Sequence, residues 1–167
     1  MAAHFQGPAA RKQDAACIRA AAGMTLIEII MALAILGIVA ALAIPVYEGY
    51  VTEAKLGTAI KDIRQMELIL NDAYLENAPP ATLAAAGINM TDPWGNPYQY
   101  LWLRGNPDGS VNGNRRRDKS MNPVNSDYDL YSMGPDGETA KQFTAAKALD
   151  DVVRANDGDF VGLARDH

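Results

Sequence analysis

The chain reads as an α+β protein: a long N-terminal α-helix, half suited to a membrane and half amphipathic, packed on a small antiparallel β-sheet. An uncharged apolar run covers residues 29–46. Apolar residues at three- and four-residue steps then continue to Tyr74, and from Met90 short aromatic segments alternate with clusters of Pro, Gly, Asn and Asp. At 167 residues and 49% apolar content, the chain suits one ordinary domain better than two.

The run 29–46 is 18 residues long, and starting at Met24 makes it 23, about what a helix needs to cross roughly 30 Å of hydrocarbon. Arg11, Lys12 and Arg19 precede it and Glu48 and Glu53 follow, so the basic side marks the cytoplasmic end. The C-terminal part then lies beyond the membrane. A cleaved secretory signal fits poorly, because the small residues 20–23 come before the apolar run instead of after it. A plain signal anchor leaves one residue unexplained: Glu28, between Ile27 and Ile29. A carboxylate at that edge costs about 3 kcal/mol on insertion scales and needs a partner, yet no Lys or Arg lies between Met24 and Glu53. Cleavage between Gly23 and Met24 would create an α-amino group about one helical turn away, on the same chain or on a neighbour. The charge then becomes an assembly contact.

The segment GMTLIEIIMALAILGIVAALAIP resembles the class III leader and N-terminal helix of type IV pilins and type II secretion pseudopilins. The resemblance implies that a prepilin peptidase cuts after Gly23 and that Met24 becomes the methylated terminus. It makes Glu28 the assembly carboxylate at the fifth mature position and Pro45 the helix-kinking proline. Met24 departs from the commoner phenylalanine, and a 23-residue leader is long for the family. The expected organisation is a leader at 1–23, a transmembrane and assembly helix at 24–46, its amphipathic continuation at 47–77 and a globular part at 78–167.

Pro45 removes one backbone donor and clashes with the carbonyl four residues earlier, so a bend or melted turn is expected near residues 41–45. Gly37 and the alanines at 32, 34, 40, 41 and 43 leave patches where helices can approach closely, or are ordinary membrane-helix composition. Past Pro45, Leu56, Ile60, Ile63, Met66, Leu70 and Tyr74 form one stripe, with Lys55, Lys61, Asp62, Arg64 and Glu67 between them. Pro79 and Pro80 stop the helix before NAPPA, and a short second helix at 81–86 can end at Gly87. YQYLWL and DYDLYSM read as strands, separated by the turn-rich TDPWGNPY, RGNPDGSVNGN and MGPDGE.

The single cysteine, Cys17, falls in the expected leader, so the processed chain lacks the C-terminal disulfide that many type IV pilins use. Asp136, Asp150 and Asp151 lie in loop-rich sequence, where aspartates cap turns or supply hard oxygen ligands. DPWGNPY has a close counterpart in the major pseudopilins of type II secretion, and that resemblance implies a C-terminal calcium loop. It would use the side chains of Asp136, Asp150 and Asp151 and the carbonyls of Leu130 and Met133, with Asp157 and Asp159 in reserve. Asp127 and Asp129 read as turn or surface residues. The segment 139–149 is longer than the family's usual loop.

Arg115, Arg116, Arg117 and Lys119 form the one strong basic cluster, read as a solvated loop or a subunit contact more than a nucleic-acid site in a chain of net charge −5. Histidine occurs only at His4 and His167. With no thiol beyond residue 17 and no phosphate-cradling glycine motif, an enzyme is not indicated. Trp94 and Trp102 read as packing residues. The resemblance implies a homopolymer, the periplasmic pseudopilus, built from the inner membrane with a prepilin peptidase, an assembly platform and minor pseudopilins, and with no nucleic-acid partner. A surface pilus for adhesion, motility or DNA uptake and an unprocessed, membrane-anchored binding module are the alternatives.

Overall fold

The computed structural model describes residues 23–76, 78–105, 111, 113–119 and 121–167. The expected leader apart from Gly23, Cys17 within it, and Asn77 lie outside the described residues. Two compact units divide at Ala43 and Ile44. Helix α1, Leu26–Leu75, starts in the first and ends in the second.

In the first unit, α1 is apolar and exposed: Leu26, Ile30, Leu33, Leu36, Ile38 and Leu42 are each more than half exposed. Helix α1 continues through Pro45. Of the bend or melted turn expected near 41–45, the melted turn is not what this backbone adopts: the residues on both sides of Pro45 stay helical despite the missing donor.

In the second unit, α1 becomes one-sided as its sequence pattern requires. Ala59, Ile63, Met66 and Leu70 are buried, and Leu56 and Ile60 flank them. The helix ends at Leu75, ahead of Pro79. Residues Ala84–Ala86 form a single 3-10 turn closed by Gly87, whose φ of 76° is left-handed; the helix expected at 81–86 is thus present in shortened form.

Four strands make one antiparallel meander in the order β1 (Gln99–Trp102), β2 (Tyr128–Ser132), β3 (Val152–Ala155), β4 (Phe160–Leu163). Tyr100 sits opposite Leu130, Tyr131 opposite Val153, and Arg154 opposite Val161. Side chains alternate between two apolar clusters, as a pleated sheet demands. Tyr128, Leu130 and Val152 join the α1 stripe with Ile88 and Tyr98, while Val153 and Ala155 join Val124, Phe143 and Ala164.

Strands β3 and β4 are absent from the sequence expectation, which gave residues 150–159 to a ligand loop. VVRA is a buried strand, and Asn156, Asp157 and Gly158, all at positive φ, turn it into β4. Gly158 has a second constraint. At its φ of 101°, a Cβ would lie 2.0 Å from Oε1 of Glu67 on α1. Gly158→Ala is therefore expected to cost about 1–3 kcal/mol in urea unfolding; an unchanged midpoint would show that the turn does not press on the helix.

Candidate functional site

The chemistry of the N-terminal segment begins with Thr25. Its carbonyl and Oγ1 both accept the backbone N–H of Glu28, at 3.1 and 3.3 Å. Thr25 is thus the N-cap and Glu28 the third helical residue, half of a capping box. The T-x-x-E spacing of the sequence carries the signal for this role. A carboxylate in the first turn also meets the positive end of the helix dipole. Met24 and Glu28 are exposed, so the carboxylate is open to a further partner. From Leu26 onward the helix is long and apolar enough to cross a membrane, and its most apolar 18-residue window is wholly unburied.

The body is held by buried charge. Arg154 on β3 is 2% exposed. It donates from Nε to Glu67 Oε1 at 2.9 Å, and from Nη1 and Nη2 to the two Asp127 oxygens at 2.8 and 2.7 Å. Its guanidinium lies 4.1 Å from the centre of the Tyr128 ring. Burial alone would lower its pKa, but Asp127, Tyr128 and Glu67 together hold it above the ordinary guanidinium value. Two tyrosines add ties to α1: the Tyr98 hydroxyl donates to Asp62 and the Tyr128 hydroxyl to Asn71, each at 2.9 Å. Burial first, then the hydrogen bond to Asp62, raises the Tyr98 pKa.

Asp127 and Asp129, read from the sequence as turn or surface residues, are both inside. Asp129 is 1% exposed and accepts from the Arg116 backbone N–H and from Asn125. DPWGNPY is a side-chain-braced turn: Asp92 Oδ1 accepts the N–H groups of Trp94 and Asn96, and Oδ2 accepts the Ser132 hydroxyl at the end of β2.

The five residues proposed for calcium are differently engaged. Asp136 is exposed and takes the Glu138 N–H across its own turn. Asp150 is half-buried, its carbonyl so close to Gly134 that any Cβ there would collide. Asp151 is fully buried and engaged by Arg116 and Thr139. Burial pushes its pKa up to about 6, against the pull of Thr139 and Arg116. Leu130 is buried in β2 and Met133 is half-buried just past it. Among the described residues no three acidic, histidine or cysteine side chains gather into a metal set. The reserve residue Asp157 is occupied too, accepting the Ser126 N–H and hydroxyl at 2.6 and 2.7 Å. The basic cluster is also not one patch: Arg117 and Lys119 are exposed, but Arg116 is 3% exposed and turned inward.

An apolar helix with a capped, acidic first turn and an α+β body closed by a four-stranded meander define a pilin-like protein. Residues 18–44 match the prokaryotic N-terminal methylation motif. The type II secretion system core protein G of Pseudomonas aeruginosa is 34% identical over 128 residues, 72% of this chain and 87% of its own length. Its counterpart in Escherichia coli K12 is 30% identical over 139 residues, covering 70% and 83%. The type IV major fimbrial protein FimA of Dichelobacter nodosus is 29% identical over 117 residues, covering 67% and 69%. No solved structure gives a significant match. The chain belongs to the family of type II secretion system core protein G.

Proposed function

We propose that the chain is a structural subunit of the periplasmic pseudopilus of type II secretion. It is inserted in the inner membrane with its C-terminal part in the periplasm, cut and methylated by a prepilin peptidase, and polymerised through its N-terminal helix. The observation that carries this is the likeness to core protein G, which runs through the body as well as the helix, over 72% of this chain and 87% of the relative. Fimbrial relatives support a second reading, a surface pilin, but they match over only 38–69% of their own length. An inner-membrane assembly platform and minor pseudopilins are the partners this role needs.

Processing is tested by intact mass and N-terminal sequencing of the protein from native membranes. The expected chain begins at Met24 and carries one added methyl group. An intact leader would return the unprocessed, anchored binding module to first place. Deleting the gene then separates the two filament readings: loss of secreted proteins with surface pili intact marks the pseudopilus, and the reverse marks the pilus.

A further inference from the structure

Arg116 engages Asp151, one of the five residues expected to hold a divalent ion. Its guanidinium donates to Thr139 Oγ1 at 2.5 Å, to the Ala140 carbonyl at 2.7 Å and to the Asp151 carboxylate. These oxygens come from the middle and the end of the long loop between β2 and β3. The Thr139 hydroxyl closes the set by donating to Asp151 Oδ2 at 2.6 Å. The guanidinium lies 4.0 Å from the centre of the Tyr131 ring and 5.5 Å from that of Phe143, and the Arg116 backbone N–H is held by Asp129. One side chain therefore joins β2, the loop's middle and the loop's end.

The residues do not fit calcium. Calcium takes six to eight oxygens, several of them carboxylate. Asp151 Oδ1 is a buried oxygen without a hydrogen-bond partner, but among the described residues no three acids gather to share an ion with it. An ion on Asp151 would also stand beside the guanidinium, a like charge in a setting that screens poorly.

We propose that Arg116 is the internal counter-cation of this loop, so that the body keeps its fold without a divalent ion. The planar fork matters: five donors in one plane reach three acceptors while the face stacks on Tyr131, a geometry lysine lacks. The proposal is independent of which filament the chain enters.

The full-length chain in detergent micelles tests it by thermal melting. Wild type is expected to melt at the same temperature in chelator and in calcium. Arg116→Gln is expected to melt about 10 °C lower, because one partner of a buried pair is left alone. Arg116→Lys should fall between them, and Arg116→Gln with Asp151→Asn should lose less than the two single changes added together. Wild type that melts lower in chelator and recovers with calcium overturns the proposal, as does Arg116→Gln melting with wild type. If Arg116→Gln fails to fold, the wild-type melts decide, supported by equal protease resistance of the wild-type loop in chelator and in calcium.

Discussion

Arg154→Ala is expected to destabilise the body by about 3–5 kcal/mol, enough to leave a marginal domain largely unfolded. Removing the guanidinium leaves Glu67 and Asp127 buried, at 8% and 9% exposure, without the cation they share. Arg64 still reaches Glu67 Oε2 at 3.0 Å, but from a side chain that is 46% exposed, so water screens most of its pull. The Tyr128 carbonyl loses a donor and the Tyr128 ring its stacked cation. Methionine at 154 restores much of the apolar volume and none of the charge, so Arg154→Met should fall nearly as far. The compensated triple, Arg154→Met with Glu67→Gln and Asp127→Asn, should recover a large part of the loss, because the penalty lies in stranded charge more than in missing volume. Urea unfolding of each variant measures this. A loss below about 1 kcal/mol for Arg154→Ala would show that water reaches the two acids in the native state.

The same network explains why parts of the body were illegible in the sequence. Apolar periodicity is a one-element signal, so Ile63, Met66 and Leu70 announced their stripe and were found buried. Glu67 lies between them on the helix surface; Arg64 on the same helix is half-exposed, and the buried cation that makes the burial of Glu67 tolerable comes from β3, 87 residues away. Nothing local to the helix carries that information. Arg116 is similar: among three consecutive arginines, the one turned inward is decided by Asp151 and Thr139, far along the chain.

Strand β3 was missed for a different reason. Its four residues are buried on both faces, so they show no alternation, and Asp150 and Asp151 in front of them resemble a ligand loop. The signal that was available is the turn beyond it. Asn156, Asp157 and Gly158 between VVR and FVGL form the kind of cluster that joins hairpin strands, and all three adopt the positive φ that those residue types tolerate. The N-terminal segment was the reverse case. The membrane-length apolar run and Glu28 are local features, and the helix formed where they placed it.

Glu28→Ala is expected to insert in the membrane at least as well as wild type and to fail in assembly. Two physical roles compete for this carboxylate, and they separate by experiment. If Glu28 serves only its own helix, through the first-turn dipole and the cap from Thr25, its removal costs about 0.3–1 kcal/mol, while Thr25→Ala, which removes the cap, costs about 1 kcal/mol. Thr25→Ala should then be the more damaging change. If Glu28 pairs with the α-amino group of Met24 on a neighbouring subunit, each contact loses a charge-assisted hydrogen bond of about 1.5–3 kcal/mol. Addition of every subunit to the filament would weaken roughly tenfold to hundredfold. Filament yield should collapse in Glu28→Ala and in the isosteric Glu28→Gln, which keeps the shape and removes the charge, and Thr25→Ala should still assemble. The measurement is sheared-filament yield set against the amount of processed subunit in the membrane. The exposed position of Glu28 and the lack of any Lys or Arg from Met24 to Glu53 favour the intersubunit partner. Equal filament yields from wild type and Glu28→Gln would leave the carboxylate as a helix-end device alone.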